Sequence, residues 1–365
     1  MVKIKIARAL KLIVFPVIAA LLFMSLSYMI RPNINGQKTR LMGFYAQPKN
    51  SLDMVYIGPS SVYRGWLSPY AFKNFGFTSY PLASAGQCPA MIKYLVKEAL
   101  KYQHPKLFLI DLRSFKNNVD NCTEAQVRGT VDNMRYSWNR YEAVRAIDKI
   151  RQNNAAYRAK DNIMYYLFDL VKYKSLWNTV NPSAWCYAKD DPFKGYIFRD
   201  KEEVKKVKVD TTVSRMTKRM PIPDENKKVL LDLLDYCKSN KLQVLFTTVP
   251  YAVNSEERML ENDAKAIIKN YGYNGADIFD GNALFENMKL NPNTDFYNEL
   301  HLGIQGAEKF TGYLGAYIQK KYQLPDRWDN TVKDNIFNNW ESSYNTWLAQ
   351  EEISKKSIEN KLKPS

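Results

Sequence analysis

Histidine is nearly absent: 365 residues contain two, His104 and His301. Four cysteines (Cys88, Cys122, Cys186, Cys237) lie far apart, with no C-x-x-C pair and no histidine cluster beside them. That spacing excludes a locally built zinc site and a thioredoxin motif. One disulfide is compatible with it; the plainer reading is four small buried hydrophobes. No P-loop and no dinucleotide fingerprint occurs, and no cofactor or metal is expected. The elbow Gly-x-Ser-x-Gly is missing too, because Val62 stands where "GPSSV" would need its second glycine. Zinc fingers, aromatic RNA-binding motifs and basic heptads are also lacking, so nucleic acid is not an expected partner.

Acid is missing from the first 40 residues, where Lys3, Lys5, Arg8, Lys11, Arg31, Lys38 and Arg40 supply seven charges of the net +16. An unevenly basic chain suits an anionic membrane face or an acidic envelope polymer. Between those charges lies "LIVFPVIAALLFMSLSYMI", Leu12 to Ile30, 19 residues without a charge. As a helix it would reach about 28 Å, enough to cross a bilayer. No small-x-small cleavage site follows, and Arg31-Pro32 comes directly after it, which favours an uncleaved signal anchor over a secretory signal. Residues 1–30 read as a cytoplasmic stub with a single transmembrane helix. Residues 31–50 read as a linker whose reach as a coil is about 25 Å. The rest is expected outside the cell, an orientation that rests on the dominance of a first helix.

From residue 51 a β-α-β rhythm sets in. "MVYI" (54–57) is followed by Ile92, Leu95, Val96, Ala99 and Leu100 at helical spacing, then by "LFLID" (107–111). It stops until "QVLFTTVP" (243–250) and resumes with a helix near 255–270, a weak strand near 276–279 and the stripe Ile304, Ala307, Phe310, Leu314, Ile318. The expected fold is α/β, a doubly wound and mainly parallel sheet over 51–323 with a helical insertion at about 115–225. A helical extension follows at 324–365. Two aromatic stretches, "NMRYSWNRY" (133–141) and Phe337, Trp340, Tyr344, Trp347, suit either packing or stacking on sugar rings.

Such sheets carry chemistry where strands run into helix N-termini. "YIGPSSVYRG" (56–65) sits at such a place: Gly58 turns the chain, Pro59 fixes φ, and Ser60 or Ser61 presents a hydroxyl. The plain alternative is a helix-capping serine. A nucleophilic serine needs a base. His104, before Pro105, falls at the opposite sheet edge and reads as a surface residue. His301, just ahead of the Ile304 helix, lies where the helix dipole disfavours imidazolium. Cys88, beside Gly86, reads as a packing residue rather than a nucleophile.

These residues resemble the SGNH (GDSL-type) hydrolase superfamily, whose fold is flavodoxin-like, and within it the membrane-anchored, cell-envelope acyltransferase-like branch that includes D-alanine transfer proteins of teichoic-acid modification. The family's strand-Gly-x-Ser block is matched by Gly58 and Ser60, which the resemblance makes the nucleophile. Its second block is matched by Gly86 in "LASAGQCPAM", so that the Ser60 and Gly86 amides form the oxyanion hole. Its Asp-x-x-His block is matched by Asn298 and His301, with asparagine at the acid's place; Glu299 and Asp295 are the neighbouring carboxylates. Its third-block asparagine has no counterpart. The resemblance implies acyl transfer or deacylation on a cell-envelope glycopolymer. A polytopic membrane O-acyltransferase is then an expected partner, with the Trp340 stripe or the aromatic insertion as docking surfaces. A catalytically silent adaptor is the alternative.

Overall fold

The computed structural model describes residues 2–154, 162–198, 204–328 and 334–362. Helix α1 (Val2–Ile30) contains the apolar run, followed by α2 (Gln37–Ala46). Strand β1 (Met54–Gly58) leads through Pro59 into α3 (Ser60–Gly65) and α4 (Ser68–Phe75). Then come β2 (Ser79–Ala83), α5 (Ile92–Tyr102) and β3 (Leu107–Asp111). Between β3 and the next strand, the expected insertion folds as α6 (Glu124–Val131), α7 (Trp138–Arg151), α8 (Ile163–Leu167) and α9 (Asp169–Lys172), with one further helical turn at Thr211–Arg215 and short 3-10 turns, and holds no strand among the described residues. Its stretches 155–161 and 199–203 lie outside the described residues, as does 329–333 of the C-terminal extension. The rhythm resumes with α10 (Asp224–Ser239), β4 (Val244–Thr248), α11 (Ser255–Asn270) and β5 (Ile278–Asp280). A hairpin of β6 (Phe296–Asn298) and β7 (His301–Leu302) precedes α12 (Ile304–Tyr322) and α13 (Asn335–Leu362).

The five strands β1 to β5 form one parallel sheet in the order β2-β1-β3-β4-β5, so the α/β class is observed. Strands of such a sheet are buried on both faces and read as unbroken apolar runs. Val55, Ile57, Ile110 and Phe246 share one core with α5, α10 and α11. Met54, Tyr56, Leu109 and Leu245 share the other with α3 and α12. At the β1 exit the backbone must pass close to β3: a Cβ on Gly58 would stand 2.6 Å from the Asp111 Cβ and from Val62. Only glycine fits there.

Three expectations need correction. Residues 31–50 are not a free linker, because α2 is buried along most of its length and Arg31, although charged, is 3 % exposed. Arg31 Nε donates to Asp169 Oδ2 at 2.7 Å and its Nη1 to the Met134 carbonyl at 2.9 Å, and the guanidinium lies over Tyr28, Tyr136 and Tyr187. Burial opposes its charge and Asp169 restores it, with the guanidinium held above its ordinary value. The cysteines are not all plain hydrophobes: Cys88 and Cys122 form a disulfide with Cα atoms 5.9 Å apart, tying the loop after β2 to the insertion. Cys186 is exposed and Cys237 buried. Phe337, Trp340 and Trp347 are buried and pack with Tyr70 and Phe72 of α4, so this stripe is core and not a docking surface.

Candidate functional site

The site is assembled at the carboxyl end of the sheet, where the β1 turn meets the β6-β7 hairpin. Pro59, extended at φ −80° and ψ −165°, ends the strand and delivers Ser60 as the first residue of α3. Ser60 Oγ lies 2.7 Å from His301 Nε2. Ser61 turns the other way: it is 1 % exposed and its Oγ has no hydrogen-bond partner, so no acyl group could reach it. Of the two serines, Ser60 is the one whose hydroxyl faces the histidine.

The hairpin supplies the rest. Antiparallel pairing sets Asn298 opposite His301, and Asn298 Oδ1 lies 2.9 Å from His301 Nδ1. The same oxygen accepts the Leu300 N–H at 2.9 Å. A backbone N–H can only donate, so the atom facing it is the carbonyl oxygen and not the amide nitrogen. That oxygen in turn needs a proton on Nδ1, which leaves Nε2 with its lone pair towards Ser60. Asparagine thus orients the ring and fixes its tautomer, but it supplies no negative charge for an imidazolium. Glu299 is exposed at the hairpin tip, where its backbone carbonyl accepts from Ala252 N at 2.8 Å. Asp295 is buried and accepts from Asn291 N, Thr294 Oγ1 and Lys309 Nζ. His104 is exposed and bonded to Asn50, as a surface residue should be.

Gly86 sits in the loop after β2, which leaves the sheet beside the serine turn because Gly58 pairs with Ala83 and Ser84 N donates to Gly58 O. Its φ of +57° is left-handed, the region that favours glycine, and a Cβ would meet the Gln126 side chain at 2.8 Å. Ser84, Gln87 and Thr130 are joined by side-chain hydrogen bonds that hold this loop on α6. A cavity of about 410 Å³ opens beside Gly86, walled by Gln87, Lys116, Asn118, Thr123 and Gln126. Cys88, closed in its disulfide, has no thiol with which to attack.

Two residues that the sequence reading passed over hold the hairpin in place. Arg113 Nη1 donates to the Leu300 carbonyl at 2.6 Å, next to the catalytic candidate, while its guanidinium stacks 4.0 Å from the centre of Tyr251. Arg64 lies over Tyr297 at 4.5 Å. The available signal was position: Arg113 follows the carboxyl end of β3 by two residues, and Arg64 stands one helical turn after Ser60. Asp111, at that same strand end, is fully buried and accepts from Arg113 N and Val249 N. Burial pushes its carboxyl up to about 7 against those two donors. Among the described residues no group of histidine, cysteine and carboxylate side chains could hold a metal. No family model, no curated protein and no solved structure matches the chain.

Proposed function

We propose that this chain is a membrane-anchored serine acyltransferase of SGNH type, which passes an acyl group to a cell-envelope glycopolymer through an acyl-Ser60 intermediate. The observation that carries the reading is the relay Ser60 Oγ, His301 Nε2, His301 Nδ1, Asn298 Oδ1, with contacts of 2.7 and 2.9 Å. Nucleophile, base and orienter within hydrogen-bond reach are the signature of nucleophilic catalysis. The strand order supports it, since 2-1-3-4-5 is a doubly wound order that places ligands at the carboxyl ends around β1 and β3.

In the first step His301 Nε2 takes the Ser60 proton as Oγ attacks the acyl carbonyl carbon, and the oxyanion is met by the amides of Ser60 and Gly86. Collapse breaks the bond to the donor's leaving group, which takes the proton back from His301. An acceptor hydroxyl then gives its proton to the same nitrogen and attacks the acyl-Ser60 carbonyl; the acyl–Oγ bond breaks, and Ser60 Oγ takes that proton back from His301. A membrane span favours transfer over hydrolysis, because a donor assembled at the bilayer is met only by a pocket held nearby. α1 holds the one candidate span among the described residues, Leu12–Ile30, with mean hydropathy 2.3. A polytopic membrane acyltransferase is the natural source of the acyl group.

The test is the acyl content of envelope polymers in cells lacking the protein, rescued with wild type or Ser60→Ala. Acylation that falls on deletion and returns only with wild type supports transfer. A rise on deletion makes the protein a deacylase, and full rescue by Ser60→Ala makes it an adaptor.

A further inference from the structure

The apolar run and the domain do not simply meet end to end. Leu12 to Leu22 of α1 are exposed, but from Phe23 to Ile30 all except Leu26 are half-buried or buried against the insertion. Phe23 lies 5.9 Å from the rings of Tyr136 and Phe168, Tyr28 packs on Tyr136 and Tyr187, and Asn181 N donates to the Met29 carbonyl at 3.0 Å. At the junction, Asp169 binds Arg31 and, at 3.0 Å, Arg140 Nη2, all three side chains being almost fully buried. The last eight residues of the span are therefore part of the folded domain.

This geometry conflicts with a domain that floats above the bilayer. At about 1.5 Å per residue, the eleven residues from Leu12 to Leu22 cover roughly 16 Å, about half of a hydrocarbon core near 30 Å. The helix cannot slide to make up the difference, because Lys11 stands directly before Leu12 and marks the far interface. Whatever packs beside Phe23 to Ile30 must sit about 12 Å into the membrane's outer layer.

The side of the insertion next to α1 has the surface for that position. Met164, Phe168, Val171, Trp177 and Trp185 are 36 to 63 % exposed there. Between Ile163 and Lys189 Asp169 is the only acid, and it is already buried and paired; of the lysines, Lys172 is paired with Glu124, while Lys174 and Lys189 are exposed. Tryptophan and other large apolar side chains, with lysines and without free acid, match the boundary of an anionic bilayer. We infer that the face formed by α8, α9 and the turns through Trp185 is seated in the headgroup and outer acyl region of the membrane that α1 spans. The enzyme then has one fixed height and tilt above the bilayer. The seating rests on the anchored reading above, and it holds whether or not Ser60 is catalytic.

The full chain can be tested with its own thiol, since Cys186 is exposed within this face while Cys237 is buried. A nitroxide placed on Cys186, in vesicles of phosphatidylcholine and phosphatidylglycerol, is compared with one on Ser239→Cys in a Cys186→Ser background. The seated face predicts a ratio of oxygen to aqueous nickel collisions severalfold higher at Cys186 than at Ser239, and bromolipid quenching of tryptophan that falls in Trp177→Phe/Trp185→Phe. Nickel access at Cys186 equal to that at Ser239, in a chain that resists carbonate extraction, overturns the seating and leaves the anchor standing. Shielding from both collision agents gives the face to a protein partner instead. Extraction of the chain by carbonate overturns anchor and seating together.

Discussion

Asn298 carries two hydrogen bonds on one oxygen, and its removal should therefore cost more than one contact. In Asn298→Ala both the His301 Nδ1–H and the Leu300 N–H lose their acceptor. At about 1 kcal/mol for each bond the loss is about 2 kcal/mol. That corresponds to a fall in kcat/KM of roughly 30-fold. Asn298→Asp keeps both contacts and makes them charge-assisted, which is roughly twice as strong for the imidazolium formed during attack. An added 1 kcal/mol or so gives a gain of about fivefold. The sign on pH follows: a carboxylate favours the protonated ring, so the acidic limb of the kcat/KM profile moves to higher pH in Asn298→Asp. The assay is steady-state cleavage of a chromogenic acyl ester by purified full-length protein, with the Ser60→Ala rate as background. An Asn298→Ala enzyme with wild-type kcat/KM would refute the argument, because the ring would then be oriented by something else.

Arg113→Ala should lower kcat about tenfold with KM little changed and Arg113→Lys should recover part of it, since a charged hydrogen bond to Leu300 O, of about 1.5–3 kcal/mol, holds the hairpin; equal effects on KM and kcat would place the residue in binding instead. Asp111 predicts a pH trend in stability. Its carboxyl keeps a proton to about 7 in the native state but loses it near pH 4 when unfolded, so the native state holds the extra proton between those limits and stability declines as pH rises through them. Urea midpoints at about pH 5 and pH 8 should differ less in Asp111→Asn than in wild type, and equal differences would remove Asp111 from the account. Asp169→Asn leaves the buried Arg31 and Arg140 guanidinium groups without their shared anion, and about 3–5 kcal/mol of stability should go with it in chemical denaturation; a loss below 1 kcal/mol would mean that water replaces the pair.

Legibility in the sequence followed burial symmetry. β1, β3 and β4 stand out because both faces are covered, and their runs at 54–58, 107–111 and 244–248 are nearly all apolar or β-branched. β2 escaped the rhythm because "SYPLA" carries a proline, which a strand tolerates only at an edge, and β2 is the edge strand. The resemblance's Asp-x-x-His block pointed to Asn298 and His301, and the hairpin does bring those two side chains together. The tautomer was not legible, because it depends on the Leu300 N–H. The burial of Arg31 could not be read locally either: its partner Asp169 is 138 positions away, and a basic residue after an apolar run reads as a solvated flank. Cys88 and Cys122, 34 positions apart, likewise become a pair only once α6 lies against the β2 loop.

The central claim is that Ser60 and not its neighbour is the nucleophile. The direct measurement is mass spectrometry of the intact chain after treatment with a fluorophosphonate, followed by mapping of the modified peptide. The relay predicts one adduct, on Ser60, formed by wild type and Ser61→Ala and lost in Ser60→Ala and His301→Ala. An adduct on another residue, or no adduct on a folded chain, would contradict it.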